Sequence, residues 1–150
     1  MKLTGYEITD RIADGELVIE PFDATQVSPN SYDLRLAPEL EFYTEPVLDP
    51  DRDNPTTRVT IPDDGLVLPA GSFWIGHSVE HVTLSAHVAF VHAKSGIARL
   101  GVIVHGTADL IAAGHDGPVE FHISPLVDVR VTPNMRLAQL SFEISGGYTP

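Results

Sequence analysis

The sequence of 150 residues contains no cysteine. That excludes disulfides, thiolate nucleophiles and every zinc site built on cysteine ligands. Lysine occurs only twice, and nine Lys and Arg stand against 21 Asp and Glu, for a formal net charge of −12. A surface of that sign repels polyanions at long range and offers duplex nucleic acid no basic footprint. A small phosphorylated ligand stays compatible if a few cations share one pocket, and simple solvation accounts for the acidity equally well. Long apolar runs are missing too. Nothing approaches the roughly 20 residues that span a bilayer, and the start "MKLTGYEITDRIADG" has no cationic stretch followed by an apolar core. These absences lead us to expect a soluble, cytoplasmic protein with neither nucleic-acid nor membrane partners, and its length suits one domain over residues 1–150.

What the sequence does contain is dense punctuation. Thr4 and Glu7 have capping-box spacing, Leu3 and Ile8 are placed as a hydrophobic staple, and Gly15 follows the last turn, which predicts a helix at about 5–13. The runs "ELVIEPF", "SYDLRLA", "LEFYT", "RVTIP", "GLVLP", "SFWIGHS" and "EHVTLS" come next. They are short, rich in β-branched and aromatic residues and separated by Pro, Gly, Asn or Asp. Residues 44–58, proline-rich and acidic, predict an exposed loop. "KSGIARLG" breaks the alternation: Ile97 and Leu100 are three apart and Gly101 can end a turn, so a short helix is expected between strands. "VIVHGTADLIA", "GPVEFHIS", "PLVDVRVTP" and "RLAQLSFEI" resume the period of two, with Val127, Val129 and Val131 on one face and Asp128 and Arg130 on the other. The expected fold is mainly β, a distorted antiparallel barrel or sandwich with an N-terminal helix and one short helix beside the candidate site.

A helix entered through Lys94, Ser95 and Gly96 offers backbone N–H groups, a hydroxyl and a cation to one small volume, the chemistry of a phosphate site. By itself such a start is more often a plain cap. The seven histidines have no compact ligand spacing, and no protein-held metal site is expected from them.

"KSGIARLGVIVH" resembles the phosphate-binding motif of the dCTP deaminase and dUTPase superfamily. The resemblance extends along almost the whole chain: "LTGYEITDRIADGELVIEPFDATQVSPNSYDLRLA" is similar to the N-terminal region of the dCTP deaminase branch, "AGSFWIGHSVEHVTLSAHV" to its strands before the motif, and "MRLAQLSFE" to its last core strand. It implies a dUTPase-like β-barrel assembled as a homotrimer. Active sites would lie at the subunit interfaces, and Mg2+ would be bound through the phosphates of a nucleotide substrate.

The resemblance also implies roles. Ser95 and Arg99 match residues that hold the catalytic water and the phosphates, the backbone of Thr107 and Ala108 would help place that water, and Lys94 stands where an arginine is usual. Gly96 and Gln139 fall in nucleotide-binding motifs, although a core hydrogen bond suits Gln139 equally well. The catalytic glutamate matches Glu120 if two residues are deleted between Gly117 and Pro118; a later gap would put His122 there, and strand alternation keeps both on one face. One carboxyl group can take a proton from water and return it to the cytosine ring and to departing ammonia, which needs no zinc. The implied activity is therefore a zinc-independent, glutamate-driven deoxycytidine nucleotide deaminase.

Two departures bear on the deaminase reading and a third on its alternative: the branch continues past its last strand with a tail that closes over the triphosphate, where this sequence reads "SGGYTP". Leu110 stands where the branch carries a phosphate-binding arginine, and Ala112 where dUTP-hydrolysing members carry an aspartate that aligns water on phosphorus. A dUTPase-like pyrophosphatase would need another aspartate, Asp109 or Asp116. A non-catalytic, trimeric nucleotide-binding module would need none.

Overall fold

The computed structural model describes residues 1–144; "SGGYTP", where the branch's nucleotide-covering tail would begin, lies outside the described residues. Helix α1 spans Gly5–Ala13, as the cap signals predict. Glu7 Oε2 accepts from the Thr4 N–H at 2.7 Å and from the Thr4 hydroxyl at 2.8 Å, and Thr4 Oγ1 accepts in return from the Glu7 N–H. Those bonds, the backbone one first, hold the Glu7 carboxyl below the usual range. The cap is therefore fully present at neutral pH and is lost as the pH falls through the folded-state value. Leu3 and Ile8, the staple pair, are both completely buried.

The strands are β1 Leu17–Glu20, β2 Val27–Ser28, β3 Ser31–Tyr43, β4 Thr56–Thr60, β5 Leu66–Leu68, β6 Trp74–Leu84, β7 His87–Ala93, β8 Val102–Val104, β9 Leu110–Ile111, β10 Asp116–Pro125, β11 Val129–Val131 and β12 Arg136–Ile144. Helix α2, Ser95–Ala98, is a single turn between β7 and β8. The main sheet runs β8-β10-β6-β3-β12-β7-β9, with β1 on β6 and both β2 and β4 on β3; β5 and β11 form a separate pair. All these ladders are antiparallel, and the protein is mainly β with a dUTPase-like fold. No helix among the described residues is long and apolar enough to cross a membrane.

Several expected boundaries change. "SYDLRLA" and "LEFYT" are one 13-residue strand, β3, whose first half pairs with β12 and whose second half pairs with β4 and β6. Pro38 falls where the β6 ladder is interrupted, between Leu36 and Leu40, so the proline that suggested a break marks a handover between partners. "SFWIGHS" and "EHVTLS" likewise join as β6. "VIVHGTADLIA", expected as one strand, is split into β8 and β9 by a turn that starts at His105 with φ 58°. The loop predicted over 44–58 gives up Thr56–Arg58 to β4, which pairs them with Glu41–Tyr43. The shared face predicted for Val127, Val129 and Val131 does not hold: β11 begins at Val129, Val131 is buried, and Val127 is exposed.

The core follows from the alternation. Leu34, Leu36 and Leu40 of β3, Val119, Phe121 and Ile123 of β10, and Leu140 and Phe142 of β12 are at most 2 % exposed, each side chain contributing about 1.5–3 kcal/mol of burial. Two carboxylates are buried with them, Asp33 and Glu80. Glu80, fully buried, accepts from the Arg35 backbone N–H at 2.9 Å, from Arg35 Nε at 2.7 Å and from Gln26 Nε2 at 2.9 Å. Three donors, two on Oε1 and one on Oε2, hold the carboxylate, as a charge removed from water requires. They tie β6 to the first half of β3 and to the turn before β2.

Candidate active site

On β10 the alternation is strict: Val119, Phe121 and Ile123 point inward, while Glu120 and His122 point outward. Both therefore occupy the face the sequence predicted, and both line one cavity of about 480 Å³ with His105, Ala108, Leu110 and Ala112 among its other walls. That volume lies in the range of small-molecule pockets. The turn after β8 closes its rim. The His105 N–H donates to the His122 carbonyl at 2.8 Å, and the Val91 N–H donates to the Asp109 carbonyl at 2.9 Å, so the turn spans from β10 to β7.

Within this cavity Glu120, half exposed, accepts from His122 Nε2 at 2.7 Å and has His77 Nε2 of β6 at 3.7 Å. The His105 and His122 rings stack at 4.3 Å with 11° between planes. Burial first, then the neighbouring His122, holds His105 below the ordinary histidine value. In the sequence His122 is the alternative to Glu120 and His105 ends "KSGIARLGVIVH", whereas nothing there marks His77. Only the pairing of Glu120 with His77 across the β10–β6 ladder brings the third imidazole in. Ala108 lines the cavity, and Thr107 is exposed on the turn. Leu110 is 57 % exposed, an apolar side chain at the cavity mouth.

The α2 residues form a second group. Ser95, Gly96 and Arg99 are exposed, and Arg99 makes no ion pair among the described residues. Lys94 differs. Its ammonium is paired with the buried Asp33 carboxylate of β3, which also has Arg136 at 3.6 Å. Gln139 is engaged internally: its Oε1 accepts from the Ser31 hydroxyl at 2.8 Å and its Nε2 donates to the Ala93 carbonyl at 3.4 Å. Lys94 and Gln139 thus brace the chain just ahead of Ser95 and Gly96.

In one chain these groups do not share a pocket. β8 pairs with residues 123–125 of β10, and α2 precedes β8 at the Pro125 end. Glu120 lies five residues further along β10, about 17 Å away along the strand.

The sequence model of the dCTP deaminase-like family matches residues 2–145. The chain belongs to the dCTP deaminase-like family. Among curated members, the "dCTP deaminase, dUMP-forming" of Hathewaya histolytica is 36 % identical over 149 residues, 99 % of this chain and 86 % of that protein. The dCTP deaminase of Rhodopirellula baltica is 35 % identical over 147 residues, 97 % of this chain and 74 % of that one. Among solved structures, the 2′-deoxycytidine 5′-triphosphate deaminase of Agrobacterium tumefaciens superposes with a TM-score of 0.77 at 28 % identity over 96 % of this chain, which spans about half (48 %) of that protein's length. A mutant dUTPase from phage phi11 of S. aureus, described with a structural Mg(II) ion, superposes with a TM-score of 0.55 at 13 % identity over 89 % of this chain and 92 % of that one, a likeness of fold alone.

Proposed function

We propose that this family member deaminates a deoxycytidine nucleotide, with dCTP as substrate and ammonia and the deoxyuridine nucleotide as products. The observation that carries the reading is Glu120: a half-exposed carboxylate in a nucleoside-sized cavity, on a chain similar to dCTP deaminases along nearly its full length. Glu120 takes the proton of a water aimed at C4 and returns it to N3 and to the departing amine. The backbone of Thr107 and Ala108 lies on the turn above it. Ser95, Gly96 and Arg99 receive the phosphates, and Lys94 supports them from behind through Asp33. Magnesium enters as part of the substrate, chelated by its phosphates.

Relatives named as dUMP-forming release phosphate groups as well. Ala112 bears no group that could align water on phosphorus. Asp116 is engaged by His81 and by the Thr83 hydroxyl, both at 2.7 Å, and is not free to replace the aspartate. Of the two substitutes that leaves Asp109, exposed on the turn after β8, and with Ala112 apolar we take the product to keep its triphosphate. Incubation of the protein with Mg2+ and dCTP, dCMP or dUTP, with ammonia measured and nucleotides separated by chromatography, tests this. Ammonia with dUTP is expected from dCTP. Pyrophosphate with dUMP would overturn the role assigned to Ala112, and no turnover would leave a nucleotide-binding module.

The separation of Arg99 from Glu120 within one chain is explained if the site is completed by a second copy in a homotrimer. Arg99→Ala and Glu120→Gln proteins, each inactive alone, are then expected to complement when their subunits are mixed. Random assembly puts an intact Glu120 opposite an intact Arg99 in about a quarter of the sites. Mixtures that stay inactive while subunit exchange is verified by mass spectrometry would place both groups in one chain's site.

A further inference from the structure

The Glu120 carboxylate is held asymmetrically. Oε1 is 2.7 Å from His122 Nε2, whereas Oε2 makes no hydrogen bond among the described residues and has only His77, at 3.7 Å, within ion-pair range. An ionised carboxylate can only accept, so the shared hydrogen belongs to His122 Nε2. The His122 ring is itself confined. His105 stacks on it at 4.3 Å, Phe73 leans on it at 5.9 Å, and Phe73 is stacked in turn on Tyr43. A side chain packed between aromatic rings loses rotamer freedom and passes its orientation to whatever it hydrogen-bonds.

We propose that His122 is the positioning residue for Glu120, donating Nε2–H to Oε1 so that Oε2 is the oxygen that handles protons. This rests on Glu120 being the acid and base of the deamination. In the first step a water O–H bond breaks, its proton goes to Oε2, the new oxygen bonds to C4, and the C4–N3 π pair moves to N3, which takes the proton from Oε2. In the second step the remaining hydroxyl proton passes through Oε2 to the amino nitrogen, the C4–N bond breaks, ammonia leaves and C4=O forms. Oε1 accepts from His122 throughout, because it keeps a lone pair in both the carboxylate and the acid. His122 ends as it began, and no other reactant is consumed.

Glu120 is faced by His122 from its own strand, by His77 from β6 and by His105 from the turn after β8. Asp109 and His115 stand further round the cavity, and Glu41 and Arg58 lie beyond His77. Of these, His122 alone is hydrogen-bonded to the carboxylate.

The test compares wild type, His122→Phe and His122→Gln in steady-state deamination of dCTP across pH, with thermal midpoints as the control for folding. His122→Phe keeps an aromatic ring and removes the donor. Its kcat is expected to fall about 10- to 100-fold, the scale of a misplaced reacting group, with KM little changed. His122→Gln restores an N–H donor and is expected to recover most of the loss. A His122→Phe protein with wild-type kcat and pH profile, beside an inactive Glu120→Gln, would overturn the positioning role and leave the deaminase reading standing. A wild type that releases no ammonia would overturn both.

Discussion

Glu120→Gln is expected to lower kcat for deamination by about 10²- to 10⁴-fold, the usual worth of a positioned general acid–base group, with little change in KM or thermal midpoint. The amide has the same shape and can still accept from His122 through its oxygen, so the cavity wall is preserved and only proton transfer is lost. Stability is spared because Glu120 is half exposed and contributes no buried contact of its own. A coupled ammonia assay beside thermal unfolding reads both quantities. Loss of activity together with a large drop in the midpoint would make Glu120 structural. Full activity would move the acid–base role to another group in the cavity, His122 being the one already in place.

The second large effect concerns Lys94. Its charge pairs with Asp33, whose side chain is 3 % exposed and whose Oδ1 is buried without a hydrogen-bond partner. Lys94→Met strips that carboxylate of its close counter-ion and leaves Arg136, at 3.6 Å, as the remaining cation. Breaking a buried pair from one side costs roughly 3 kcal/mol or more. For a domain of this size that is a fall in midpoint of about 6–12 °C. Adding Asp33→Leu is expected to recover much of the loss, since removing both charges removes the uncompensated one. Calorimetry of the single and double variants checks this. A Lys94→Met protein as stable as wild type but unable to bind nucleotide would make Lys94 a direct phosphate ligand instead. A lysine is enough for this pairing. A point charge satisfies one buried carboxylate oxygen, and the planar fork of arginine is needed only when phosphate is gripped through two bonds.

Much of this was legible in the chain because it is written in local patterns. Thr4, Glu7, Leu3 and Ile8 announce α1 through caps that form within one turn. The alternation around "VEFHI" places Glu120 and His122 on one face whichever of them matches the family's glutamate, and both are in the cavity. Other features depend on what lies opposite. Pro38 reads as a strand end and is instead a handover between partners, because a sequence does not name the strand across the ladder. Glu80 looks like an exposed residue of an alternating run, yet Arg35 and Gln26 converge on it from two other segments.

The class of the fold, the helix caps and the face on which Glu120 and His122 stand are written in the chain, since each is set by spacing along a few residues, and the family is legible as a resemblance along nearly its whole length. Only the folded chain brings His77 and His105 to Glu120, sets Lys94 against a buried Asp33, and leaves the α2 end of β10 about 17 Å along the strand from Glu120. Those outcomes depend on strand register and on the pairing of buried charges, which are settled only when segments far apart in sequence exclude water from one another.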